Sequence, residues 1–206
     1  MAQQYVSKKN ETVRMFQSNF LEFFSHSHPF VPLVLYLPVI GYALYVSCWQ
    51  QKLSVFALAG LFAIGLLIWT LLEYVLHRYV FHYRSKSRWA RRLHFVVHGS
   101  HHDYPNDITR LSTPPSLSIP IAVLIYVVCA LALGRFAPVV FAGLMFGYIC
   151  YEAIHYAAHH FAMKPGVWQW LKQYHLRHHY YDDHAGYGVS TPLWDYVFGT
   201  RRHERQ

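Results

Sequence analysis

Four long windows without a charged side chain limit what this chain can fold into. Phe30 to Trp49 is the first, and Leu53 to Leu72 the second, bounded by Lys52 and Glu73. Leu111 to Gly134 and Phe136 to Tyr151 follow, the last ending at Glu152. A helix of about 20 apolar residues crosses a hydrocarbon core of about 30 Å with all its backbone polar groups satisfied internally. Pro114 and Pro115 suit the start of such a helix and Gly134 its end. The windows predict an all-α integral membrane protein with four transmembrane helices in two hairpins, spanning about 30–49, 53–76, 116–133 and 136–154. The remaining segments, about 77–110 and 155–206, are read as a helical cap, so that residues 1–206 form one membrane-embedded domain. Composition agrees: 14% of the residues are charged, against about 25% in soluble domains.

The basic residues then orient the spans, because Lys and Arg stay on the cytoplasmic side. Lys8, Lys9 and Arg14 precede the first span, and Arg78, Arg84, Lys86, Arg88, Arg91, Arg92 and Arg110 lie in the middle polar segment. Lys164, Lys172, Arg177, Arg201, Arg202 and Arg205 follow the last span, and only Lys52 and Arg135 sit in the hairpin turns. Both termini and the cap are therefore expected in the cytoplasm, in a bacterial inner membrane or the endoplasmic reticulum. The net charge of +8 points to anionic lipid headgroups and not to nucleic acid. Arg110, Lys172 and Arg177 are candidates for that contact. The polar start, Met1 to Asn10, gives no sign of a cleavable signal peptide. Thr12 to Phe24 places Val13, Phe16, Phe20, Phe23 and Phe24 on roughly one helical face, the pattern of an interfacial or a packing helix. The cysteines Cys48, Cys129 and Cys150 fall within spans and are expected to be inert packing residues.

Sixteen histidines are the anomaly of the polar part. Twelve form four groups on the inferred cytoplasmic side: His77 and His82; His94, His98, His101 and His102; His155, His159 and His160; His175, His178 and His179. The second group falls at i, i+4, i+7 and i+8, one continuous stripe on a regular helix. His77 and His82 are about 140° apart on such a helix, so the helix must end or bend for both to meet one point. Crowding so many potentially cationic rings is costly without a metal. Two octahedral ions offer about twelve positions, which ten to twelve imidazoles nearly fill, whereas tetrahedral zinc needs about four ligands. Iron suits imidazole and activates O₂ at open positions. Adjacent His-His pairs argue against haem, whose iron takes two axial ligands. Glu152-Ala-Ile-His155 has a Glu-x-x-His spacing, and Glu152 reads as an acceptor that orients an imidazole. Asp103 and Asp183 are further carboxylates placed to act in this way.

At these residues the sequence resembles the membrane fatty acid hydroxylase superfamily, and within it the fatty acyl 2-hydroxylases that act on sphingolipid N-acyl chains. The matching stretches are MFQSNFLEFF from Met15, WTLLEYVLHRYVFH from Trp69, LHFVVHGSHHDYPNDITRL from Leu93, GYICYEAIHYAAHH from Gly147, LKQYHLRHH from Leu171 and GYGVSTPLWDYVFGT from Gly186. The resemblance implies ten dimetal ligands: His77, His82, His98, His101, His102, His155, His159, His175, His178 and His179. His94 and His160 are then neighbours with supporting roles. Two iron ions are implied as the cofactor, with zinc able to replace them in a purified or crystallised form. The implied reaction is O₂-dependent hydroxylation of a fatty acyl chain at C2 of a fatty acid or sphingolipid N-acyl group. Sterol or carotenoid oxidation by the same type of centre, and a zinc- or haem-binding protein without oxygenase activity, remain alternatives. Ala157 and Ala158 stand where these hydroxylases commonly carry bulkier residues. Fungal and animal relatives carry a fused b-type cytochrome domain, but here His28-Pro29 is followed by Phe30 and Val31 and not by two glycines. Electrons are therefore expected from a separate b-type cytochrome, ferredoxin or reductase.

Overall fold

A computed structural model describes residues 6–7, 9–83 and 85–201, which leaves Lys8, Arg84, Arg202, His203 and Arg205 outside the described residues. The described chain is all-helical. Its helices are α1 (Asn19–Phe23), α2 (Val31–Tyr45), α3 (Val55–Val75), α4 (Arg88–His94), α5 (Ser100–Asp103), α6 (Pro115–Leu133), α7 (Ala137–His160), α8 (Val167–Tyr180) and α9 (Leu193–Val197). Three single π-helical turns interrupt the regular geometry, at Val46–Gln50, Leu76–Phe81 and Phe95–Gly99.

Among the described residues, three continuous helical stretches are long and apolar enough to cross a membrane: Val31–Gln50, Val55–Phe81 and Pro115–His160. The third runs for 46 residues, about twice the length one crossing needs. It is broken by a 3-10 turn at Gly134–Phe136, where Gly134 takes φ +53°. A straight helix would hold Tyr126 and Phe141 about 22 Å apart, yet their ring centroids are 5.1 Å apart. The chain therefore turns back at Gly134, and α6 lies against α7.

α7 is the central helix. Ala137 to Met145 is buried without a break, and α2, α3 and α6 pack around it. Small residues make this possible: a Cβ on Gly65 would fall on the Val140 carbonyl oxygen, and a Cβ on Gly143 on the Phe62 carbonyl oxygen. Further along, the indole of Trp69 lies over Gly147, where a Cβ would come within 2.6 Å. The outer faces of α2, α3 and α6 expose Val34, Leu37, Phe56, Ile64, Val123 and Leu131, as contact with lipid requires. α3 is started by Ser54, whose hydroxyl accepts from the Ala57 N–H at 3.3 Å. Ser54→Ala is expected to lower the thermal stability of the detergent-solubilised chain by about 1 kcal/mol, measured by the unfolding midpoint.

The helix expected over Thr12 to Phe24 forms only at Asn19–Phe23. Upstream, side chains take the backbone groups that a helix would use. Arg14 donates to the carbonyls of Phe16 and Gln17, both at 2.8 Å, and one Glu22 oxygen accepts from the Met15 and Phe16 N–H at 3.0 and 2.9 Å. Phe20 and Phe23 still face outward, 70% and 74% exposed. Arg110, a candidate for headgroup contact, is buried instead. It pairs with Glu22 at 2.5 Å and donates to Ser25 Oγ at 2.9 Å, which ties the N-terminal segment to the loop after α5. Lys172 donates to the Phe161 carbonyl at 2.7 Å. The three cysteines are free thiols, with Cys48 exposed and Cys129 buried.

Candidate metal centre

Each histidine group stands where a long helix ends or bends. α3 carries His77 into the π-turn at Leu76–Phe81, where the His82 N–H donates to the His77 carbonyl at 3.1 Å. This i to i+5 bond is the signature of a π-turn. It brings the two rings to a centroid separation of 4.9 Å, which answers the 140° problem of a regular helix. A second π-turn, Phe95–Gly99, lies between His94 and His98, so the stripe expected across His94, His98, His101 and His102 is broken. His94 is turned out of the ring set, with its Nδ1 3.0 Å from where a Gly99 Cβ would stand. α7 supplies His155 and His159 one turn apart, and α8 supplies His175, His178 and His179.

These ten side chains gather into two sets of five, one being His77, His82, His98, His102 and His178, the other His101, His155, His159, His175 and His179. Within each set the ligand nitrogens all lie within 4.8 Å of one another. In the first set His77 and His98 present Nε2 atoms 3.2 Å apart, His98 and His102 3.0 Å, and His82 and His178 3.0 Å. In the second, the separations are 2.8 Å for His101 and His155, 3.1 Å for His101 and His179, 2.9 Å for His159 and His175, and 3.0 Å for His175 and His179. His102 and His179 stack with centroids 4.2 Å apart, which places the two sets side by side.

The spacing has a simple reading. At a metal–nitrogen distance of about 2.1 Å, neighbouring ligands of an octahedral ion are about 3.0 Å apart and opposite ligands about 4.2 Å, whereas a tetrahedron needs about 3.4 Å between all pairs. The closest nitrogen pairs of both sets, 2.8–3.2 Å apart, match the spacing of neighbouring octahedral corners and fall short of the tetrahedral one. The electrostatics agree. Burial, reinforced by neighbouring imidazoles, holds His98, His101, His102, His175 and His179 well below the ordinary histidine pKa, and burial lowers His178 too. The rings are thus neutral near pH 7, and no proton need be displaced for a cation to bind. His77 donates from Nδ1 to the Tyr187 carbonyl at 2.5 Å, and His178 from Nδ1 to the Ala185 carbonyl at 2.9 Å. Both bonds leave Nε2 as the lone pair aimed at the centre. Facing lone pairs repel unless a cation lies between them, so the donor set fits a metal in each group.

Asp183 Oδ2 stands 4.0 Å from His82 Nδ1. Asp103, its pKa raised by burial, lines a cavity of about 420 Å³ with His82, Arg91, His94, His102 and Asp183. Glu152 accepts from the Thr113 backbone N–H at 3.1 Å and so pins the start of the segment before α6 to α7. His160 packs against the Tyr156 ring, centroids 4.7 Å apart. The carbonyls of Ala185 and Tyr187 have no side-chain signature in the sequence, where only Gly186 and Gly188, flanking Tyr187, point to them.

Known proteins can be set beside this geometry. The fatty acid hydroxylase family model matches residues 62–200. A dihydroceramide fatty acyl 2-hydroxylase of Arabidopsis thaliana is 41% identical over 195 residues, covering 92% of this chain and 80% of that protein. The fatty acid 2-hydroxylase of Rattus norvegicus is 37% identical, covering 91% of this chain and 56% of that one. The solved structure of full-length Scs7p, in which only the hydroxylase domain is visible, superposes with a TM-score of 0.84 at 38% identity, covering 90% of this chain and 70% of that one. The chain belongs to the fatty acid hydroxylase family.

Proposed function

We propose that this chain hydroxylates a fatty acyl chain at C2, in a free fatty acid or a sphingolipid N-acyl group, at a di-iron centre held by the ten histidines of the two sets. The observation that carries this reading is the pair of five-nitrogen sets, the ligand nitrogens of each lying within 4.8 Å of one another. Two iron ions held there would supply O₂ activation: two electrons from a donor protein, two from the acyl C–H bond and two protons together convert O₂ into one hydroxyl on the acyl carbon and one water. The protein's own part is positional. His155 and His159 sit at the end of α7 and His77 at the end of α3, both of which pack together through the apolar bundle. An acyl chain lying along that bundle meets the centre end-on, held so that one carbon stays within about 3 to 3.5 Å of the reacting position. The neutral imidazoles keep protons off the ligand nitrogens.

The reversal at Gly134 supports four crossings, with α6 and α7 as the second hairpin. Among the described residues, 12 of 14 Lys and Arg then lie on the side of the centre, a bias that favours the termini and the cap facing the cytoplasm of a bacterial inner membrane or an endoplasmic reticulum. A separate electron-transfer protein docks on that face. The plant relative acts, by its name, on dihydroceramide acyl chains, and the rat relative on fatty acids. The test is mass spectrometry of lipids from a host expressing the full chain. We expect 2-hydroxy acyl species to rise well above the empty-vector host. Unchanged acyl chains alongside oxidised sterols or carotenoids would overturn the substrate.

A further inference from the structure

Two buried carboxylates take four consecutive backbone amides of the loop between α8 and α9. Asp195, on α9, accepts from the Tyr187 N–H at 2.9 Å and the Gly188 N–H at 2.7 Å. Glu73, near the end of α3, accepts from the Val189 N–H at 2.7 Å, the Ser190 N–H at 2.8 Å and the Ser190 hydroxyl. Both carboxylates are almost wholly inaccessible, at 0% and 4% exposure, so they are committed to these amides and not to water. Only glycine lets the loop close so tightly, since a Cβ at Gly188 would fall on the Thr191 carbonyl oxygen and within 3.0 Å of Asp195 Oδ2.

The same loop turns its carbonyls to the centre, Ala185 to His178 and Tyr187 to His77. Both rings belong to the set that contains His98. Among the described residues, the five Nδ1 atoms of the set around His101 have no hydrogen bond to this loop. We propose that Glu73 and Asp195 are positioning residues for one half of the centre: by fixing residues 187–190 they aim His77 and His178, and the half containing His98 depends on them while the half around His101 does not. The proposal rests on reading the two histidine sets as metal sites. It deepens that reading by making the two sites unequal in what supports them.

The test loads the purified full chain with iron(II) under anaerobic conditions and counts ions per chain as a chelator is added. The unaltered chain holds two. Asp195→Asn puts an amide NH₂ against the Gly188 N–H, and one ion is expected to leave at about 10- to 100-fold less chelator while the other is unaffected. Glu73→Gln keeps an oxygen for both amides and a donor for the Ser190 hydroxyl, so this variant retains both ions. Trp194→Phe removes a different bond between α9 and α3, Trp194 Nε1–H to Thr70 Oγ1 at 3.0 Å, and also retains both. Hydrogen exchange on the unaltered chain tests the same point without a substitution: with iron stripped, the amides of 187–190 stay protected. Asp195→Asn holding both ions with normal affinity, or free exchange at those four amides, overturns the proposal. An unaltered chain that takes up no iron overturns the metal reading instead.

Discussion

Replacing His101 by alanine is expected to lower acyl hydroxylation by more than about 100-fold and to leave one iron per chain in place of two. His101 is central to its set: its Nε2 lies 2.8 Å from that of His155 and 3.1 Å from that of His179. Losing a residue that merely supports a ligand costs about 10- to 100-fold in metal affinity or activity, and losing the ligand exceeds that. Its removal also leaves four facing lone pairs around a four-coordinate site. His28→Ala, at an exposed ring that stacks only on Phe30, should change the rate by less than about twofold, since surface changes away from such features have small effects. Product formation by lipid mass spectrometry and iron content measured on the same preparation check both. Two irons retained in His101→Ala would remove that residue from the ligand set.

Gly143→Leu should cost about 4 kcal/mol or more in stability, because the backbones of α3 and α7 touch at this point. Even a single Cβ on Gly143 would collide with the Phe62 carbonyl oxygen and approach the Leu66 nitrogen to 3.0 Å, and one on Gly65 would come within 3.1 Å of the Gly143 Cα. No flexible side chain stands there to give way, so the helices must part. Ordinary overpacking costs about 1–3 kcal/mol, and a side chain driven into backbone belongs above that range. Since α3 carries His77 and α7 carries His155 and His159, parting these helices also pulls the two ends of the centre apart. Gly65→Ala and Gly143→Ala should combine less than additively, as the first opens the gap the second needs. Gly60→Ala, with nothing within 4 Å of the added Cβ, should be neutral or stabilise α3 by up to about 1 kcal/mol. Unfolding midpoints in detergent measure all four.

The spans and the histidine groups were legible because each depends on local chemistry. Four charge-free windows fall on three apolar helical stretches: Phe30 to Trp49 matches Val31–Gln50 to within one residue, Leu53 to Leu72 stops nine residues short of the end of Val55–Phe81, and the last two windows lie on the single stretch Pro115–His160. The last helix runs on to His160, past the expected boundary near residue 154, because an exchange of apolar residues for histidines does not stop a helix. The division of the ten rings into two sets was not legible. It depends on helical phase, and the π-turns at Leu76–Phe81 and Phe95–Gly99 reset that phase. A π-turn is a rare local geometry that tertiary contacts must support. His98 and His101, three residues apart, consequently serve different sets. The short α1 was hidden for a related reason, since Arg14 and Glu22 compete for the backbone of residues 15–17. Arg110 read as a headgroup cation because sequence shows a charge and not the Glu22 carboxylate that neutralises it.

The central claim is that each of two metals is held by five imidazole nitrogens in an octahedral frame. X-ray absorption at the iron edge, on the anaerobically loaded full chain with iron counted per protein, tests it most directly. We predict two irons per chain and about five nitrogen neighbours per iron at about 2.1 Å, with the outer-shell scattering that imidazole rings give. A single iron per chain, four-coordinate tetrahedral sites, or the scattering and Soret absorption of a porphyrin would contradict it.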